Sequence, residues 1–325
     1  MNQINVVRYT HQYFKLWNAF ISKSKNGTFL FHRNFMDYHK DRFEDYSLMV
    51  FKKEKLIAVL PANRKDDILY SHQGLTYGGL LFEDELKFQV VFEIVKTVLQ
   101  WLSREGVLTL NLKTLPSIYS AIPNDELLYI MFLLKADLYR RDSLSVINLK
   151  APIPFSKNRL EGCKRAKKHS LQIKEVDCLD DFWNTILIPN LIDKHDAKPV
   201  HSLEEIMLLK SKFPKHIRQF NVYHEEELVA GTTIFETEHV AHSQYISGNA
   251  SKNILGSLDV LHAYLIEQVF KDKLYFDFGT SNENDGKQLN AGLQFWKEGF
   301  GARTVIQDFY SLDTRNFTLL DAVLL

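Results

Sequence analysis

Residues 273–309 read KLYFDFGTSNENDGKQLNAGLQFWKEGFGARTVIQDF, and the order of elements within this stretch decides the fold. The apolar run Leu274–Phe278 predicts a strand. Gly279–Gly286 is polar and glycine-bearing, which predicts a loop. In Lys287–Glu298, Leu289, Leu293 and Trp296 recur at helical spacing, and Phe300 continues their stripe. Gly299-Phe300-Gly301 stops that helix, and Thr304–Tyr310 predicts a closing strand. In a mixed α/β sheet, the place where a strand passes through a polar loop into a helix is where a site is expected.

Working outward, the same succession occurs twice. The first copy has a hairpin, Leu48–Phe51 with Leu56–Pro61, joined by the charged turn KKEK. The second has Phe220–Tyr223 with Leu228–Phe235, joined by HEEE. Extended chain follows each hairpin, and then a long amphipathic helix, Asp84–Arg104 and Ser257–Lys271. After each helix come a short apolar strand, a polar loop, a second helix and a last strand. Two copies predict two tandem α/β domains with mixed sheets. The prolines at 152 and 154 place the boundary near residue 150, giving domains 1–150 and 151–325. The second copy carries extra helices ahead of its hairpin, and Ser202 with Glu205 forms a capping-box signature for one of them.

Composition excludes several classes. Lys plus Arg and Asp plus Glu both number 40, so the chain lacks the overall basic field of a DNA-binding protein. Two cysteines, Cys163 and Cys178, make neither a disulfide framework nor a zinc motif, and a reduced cytoplasmic protein is expected. No apolar run reaches the roughly 20 residues of a membrane helix. No signal peptide is read at the start.

Several residues have side chains suited to chemistry. Asn290 and Lys297 fall together on the flank of the 287–298 helix, beside its buried stripe. From there the Lys297 ammonium either meets ligand charge at a cleft edge or snorkels with its stem on the core. Asp277 at the strand end either orients a substrate amine or caps a loop amide. Gly279 and Ser281 belong to the polar loop that follows. Gly256-Ser257 opens a helix whose free N–H groups suit an anion, with Lys252 just upstream. Tyr245, on the preceding strand, is either a proton donor to a leaving group or a core tyrosine. His195 and His201, in the segment DKHDAKPVHS, read as a loop over an acceptor. Their spacing fits no standard metal site, so no metal is expected.

Taken in order, Arg159–Ile173 (RLEGCKRAKKHSLQI), Pro199–Glu205 (PVHSLEE), Val229–Phe235 (VAGTTIF), His242–Asn249 (HSQYISGN), FDFG and Leu289–Ala302 (LNAGLQFWKEGFGA) resemble the FemABX group of the GNAT superfamily. The resemblance spans most of the chain and is strongest from Val200 to Tyr310. It implies two tandem GNAT-like domains and transfer of an acyl or aminoacyl group to an amine. The donor is then an acyl-CoA, another acyl thioester or an aminoacyl-tRNA. The acceptor is a small molecule, glycan or peptide amine, with cell-envelope precursors as its class. The group's aromatic-lysine pair falls on Trp296 and Lys297. In that scheme Gly256-Ser257 stabilises the oxyanion, Lys297 holds donor charge, and Tyr245 or a water manages the proton. SKNILGS (Ser251–Ser257) keeps only Gly256 of a pyrophosphate loop. A non-catalytic binding module on the same fold is therefore the alternative expectation.

Overall fold

The computed structural model describes residues 4–195 and 198–323, with the side chains of 194 and 195 excepted. The chain divides into two compact units, Met1–Asp142 with Ile306–Leu325, and Ser143–Val305. The last segment is thus counted with the first unit, whereas the division at the prolines keeps it with the second.

In the first unit, Leu48–Lys52 and Lys55–Leu60 form the expected hairpin. Ile4–Arg8 pairs on one side of it and Leu81–Phe82 on the other. The turn turns tightly because Lys53 takes a positive φ of 56°. The helix Phe88–Arg104 buries Val91, Ile94, Val95, Val98 and Leu102, and these join Leu48, Val50 and Leu60 in one core. The expected helical stripe is therefore what closes this sheet.

The second unit holds the site, and its elements carry labels from here on. β1 is Asp137–Asn148, of which the part from Ser143 belongs to this unit, and α1 is Lys157–Lys168. β2 is Gln172–Val176, α2 is Leu203–Lys212, β3 is Ile217–His224 and β4 is Glu227–Glu236. β5 is Val240–Gly248, α3 is Ser257–Tyr264, β6 is Tyr275–Thr280 and α4 is Ala291–Glu298. The strands lie in the order β2-β3-β4-β5-β6-β1. Every neighbour pair is antiparallel except β5 with β6, which is parallel. The α2 capping box forms as expected, with the Glu205 amide donating to Ser202 Oγ at 3.1 Å and the Ser202 amide to Glu205 Oε2 at 2.8 Å.

Two helices differ from their expected form. The 257–271 helix loosens into a π-turn over Leu265–Val269. The 287–298 helix begins only at Ala291, because Gln288–Leu289 pairs with Asn282–Glu283 as a small ribbon. Asn290 is consequently a cap, its Oδ1 accepting from the Leu293 amide at 3.0 Å. Leu289 and Leu293 are exposed rather than part of a buried stripe, while Phe300 is fully buried. Phe276, Phe278 and Phe300 form the aromatic centre of this unit's core.

Candidate active site

A parallel pair that separates makes the opening. β5 and β6 match only at Val240–Tyr275, Ala241–Phe276 and His242–Asp277. Beyond these, each strand carries an irregularity. On β5, Tyr245 pairs with Thr233 and Ser243 with Ile234, so Gln244 is an extra residue. On β6, Phe278 and Gly279 face the single Ser145 of β1. Such bulges bend a strand and re-aim its side chains. Beside the parted strands lies a cavity of about 800 Å³, within the size range of small-molecule sites. Leu258, Phe278 and Trp296 give it an apolar wall. Arg159, Arg165 and Lys252 give it a basic one, and Gln244 and Ser247 reach it from β5. Four cationic side chains stand among its lining against the carboxylates of Glu161 and Asp259, so the cavity is electropositive.

Lys297 also lines it, and is 2% exposed. Its stem descends from α4, and Nζ donates to the Gly279 carbonyl at 3.0 Å and the Thr280 carbonyl at 2.7 Å. These carbonyls are available because Gly279, with φ 68°, breaks the regular strand. An ammonium has three donors, so two carbonyls do not exhaust it. Burial pushes its pKa down to about 8, with Asp277 pulling the other way. Asp277 is itself 1% exposed. Its Oδ1 accepts from the Gly279 amide at 2.7 Å, and its Oδ2 sits 2.9 Å from His242 Nδ1. The carboxylate therefore holds the Gly279 amide of the bulge while Lys297 holds the Gly279 and Thr280 carbonyls.

The floor is held by a carboxylate on α3. Asp259 Oδ1 accepts from Arg159 Nη1 at 2.5 Å and from Trp296 Nε1 at 2.9 Å, and Arg165 lies 3.9 Å from Oδ2. Burial raises its pKa, against the pull of the Trp296 bond and of Arg159. Two glycines let α1 settle this close. Gly256 takes φ 69°, and a Cβ there would lie 2.1 Å from the Gly162 carbonyl oxygen. A Cβ on Gly162 would lie 1.8 Å from Asp259 Oδ2.

The remaining candidates lie as follows. Lys252 lines the cavity, but Gly256 and Ser257 are not among its lining residues. Ser257 is fully buried where α1 crosses the start of α3. Tyr245 is also not a lining residue. Its hydroxyl is 2.7 Å from His201 Nδ1, and its ring meets Trp183 edge-on. The structure thus brings Tyr245 together with His201 instead of with Lys297. Ser281 is 3% exposed, and its backbone oxygen accepts from the Asn290 amide at 2.9 Å. The His195 side chain and Asp196 lie outside the described residues. Among the described residues no group of three His, Cys, Asp or Glu is placed to hold a metal ion. Burial raises the Cys163 thiol to about 11, with the Asp259 carboxylate acting in the same direction.

The structure is similar to that of FemX, with a TM-score of 0.67 at 10% sequence identity over 94% of this chain and 96% of that one. It is also similar to L-PGS from Bacillus licheniformis, with 0.61 at 11% identity over 96% and 94%. A tandem GNAT protein from the clavulanic acid biosynthesis pathway gives 0.53 at 9% identity over 96% and 99%. This is a FemABX-like, tandem GNAT-like fold. No protein-family model and no curated protein matches the sequence. The expected fold class and resemblance are therefore what the structure shows. Among the described residues no helix is long and apolar enough to cross a membrane.

Arg159, Arg165, Asp259 and Gln244 line this cavity without any one of them standing out in the sequence. The usable signal was Gly162, a glycine inside a helix, which implies close approach of another backbone.

The site also predicts an acid response. His262 on α3 is fully buried among Phe276, Phe278, Trp296 and Phe300. Its Nδ1 lies 2.9 Å from the Leu258 carbonyl oxygen, and burial lowers its pKa to about 4. The unfolded chain binds this proton near pH 6.5 and the folded chain only near 4. Stability is therefore lost as pH falls through that window, by about 3 kcal/mol from this group. Urea unfolding at pH 7 and pH 4 is expected to show that loss in the wild type and a smaller one in His262→Phe. Equal losses would refute the assignment.

Proposed function

We propose that the chain is an N-acyltransferase whose reaction takes place in the Ser143–Val305 cavity. The observation that carries this is the parting of β5 and β6 beside a buried lysine, in a pocket lined by four cations. An acyl or aminoacyl donor lies along the basic wall, with its carbonyl between the separated strands. The acceptor nitrogen attacks that carbonyl, the carbon–nitrogen bond forms, and the carbon–oxygen or carbon–sulfur bond to the carrier breaks. The remaining Lys297 N–H stabilises the developing oxyanion. The proton shed by the amine leaves through water to the departing group, because the Tyr245 hydroxyl is engaged with His201. Phosphate on the donor carrier meets Arg165 and Lys252 in place of the α3 N-terminus, which α1 covers. The donor is an acyl thioester such as acyl-CoA or an aminoacyl-tRNA. The acceptor is a small-molecule, glycan or peptide amine, with a cell-envelope precursor in the cytoplasm as the class we favour.

A non-catalytic binding module on the same fold is the second reading, favoured by the burial of Ser257 beneath α1. A donor screen separates the two. A donor present at 100 times its dissociation constant stabilises the protein by about 2.7 kcal/mol. Thermal unfolding is to be followed with acyl-CoAs, acyl-carrier thioesters and aminoacyl-tRNA in turn. A shift with one of them, followed by transfer to an amine, is expected. Binding without transfer to any amine would support the module instead.

A further inference from the structure

Gln244 combines three properties that belong together. It is the extra residue of the β5 bulge, so no β4 residue stands opposite it. It is one of the residues that line the cavity. Its Oε1 is buried without a hydrogen-bond partner among the described residues, although the residue as a whole is only partly buried. A buried amide oxygen left unpaired destabilises the folded state. An apolar side chain of similar length in the same place carries no such penalty. Bulges recur next to active sites because they re-aim a side chain. The unpaired atom is an acceptor, so the group that completes it must be a donor, and a ligand in the cavity meets it when the carboxamide turns toward the space that Gln244 lines.

Lys297 and the arginines cannot serve both halves of the reaction. They are donors only, and suit the carbonyl and anionic parts of a ligand. An incoming amine needs an acceptor that does not take its proton permanently, and a neutral carboxamide oxygen meets that need. We propose that Gln244 recognises the acceptor, its Oε1 accepting a hydrogen bond from the N–H of a primary amine. This rests on the transferase reading, since only that reading brings an amine to the cavity.

The experiment uses the full chain labelled with ¹⁵N-glutamine, and butylamine as the probe. The Gln244 carboxamide resonance is the one lost in Gln244→Met. Butylamine is expected to move it saturably. 1-Butanol, which offers a neutral hydroxyl, is expected to be about tenfold weaker. Gln244→Glu keeps the acceptor and adds charge, so it is expected to hold butylamine at least as tightly as the wild type. In the absence of ligand, Gln244→Met is expected to melt no lower than the wild type, because it removes an unsatisfied polar atom. The proposal is overturned if the resonance does not move, if butanol moves it equally, or if Gln244→Glu loses the probe. A clear drop in melting temperature for Gln244→Met also overturns it, since that would reveal a partner inside the protein. Donor binding with a silent Gln244 leaves the transferase reading standing and removes only this residue's role. Amine binding at Gln244 with no donor found leaves an amine-binding site at this bulge and removes the transferase reading, and with it the acceptor role.

Discussion

Replacing Lys297 by methionine lowers the kcat/KM of acyl transfer by about 10²–10³-fold, the range for removing one preorganised oxyanion donor. Methionine keeps the stem that packs under α4 and removes only the ammonium. A loss of rate alone would not prove a chemical role, because Nζ also ties the Gly279 and Thr280 carbonyls. The pH profile separates the two. The ammonium persists below its pKa of about 8, so wild-type kcat/KM is expected to fall as pH rises through 8. The methionine variant is expected to be flat there. Stability moves in the opposite sense. The folded pKa lies below the unfolded value of 10.5, so between pH 8 and 10.5 the unfolded chain binds the extra proton. The folded state therefore gains, by up to about 3 kcal/mol relative to the variant. A merely structural lysine would lose activity only when it lost fold. An alkaline loss of rate that appears equally in the variant would remove Lys297 from the chemistry.

Why the sequence revealed the fold but only part of the site follows from particular residues. The 88–104 helix and the hairpin strands have local periodicities, and local periodicity is what a sequence displays. Helical spacing to Trp296 and Phe300 places Lys297 beside a buried face, although Leu289 and Leu293 of the expected stripe are exposed. That spacing does not reveal the carbonyls that hold the ammonium, because those depend on Gly279 leaving the strand. Regular strand alternation along HSQYISGN would set Ser243 and Tyr245 on one face and Gln244 on the other. The bulge breaks that alternation at Gln244, so Ser243 and Gln244 both reach the cavity while Tyr245 turns to His201. A one-residue slip redirects every side chain beyond it, and nothing in the local sequence marks the slip. The contact of Gly162 with Gly256 spans almost a hundred residues, and each glycine alone reads as a weak point in its own element.

That same contact sets the other large effect. Asp259→Ala is expected to destabilise the protein by about 3–5 kcal/mol, the range for breaking a buried ion pair by removing one partner. The Arg159 side chain is 13% exposed and Asp259 8%, so alanine would strand a guanidinium against Trp296 and Phe300, whose rings lie within 6.0 Å of it. It would also free the Trp296 indole N–H. Urea unfolding measures the loss, and two further variants apportion it. Asp259→Asn keeps an acceptor for Trp296 and removes only the charge, so it is expected to fall between wild type and alanine. The double change Asp259→Leu with Arg159→Met replaces the pair by apolar groups and is expected to recover most of the stability. It should not recover donor binding, because the basic wall over the cavity is then missing one of its arginines and the carboxylate that positions the other. A loss below about 1 kcal/mol for Asp259→Ala would place the pair with solvent-exposed bridges. The docking of α1 over α3 would then rest on the two glycines alone.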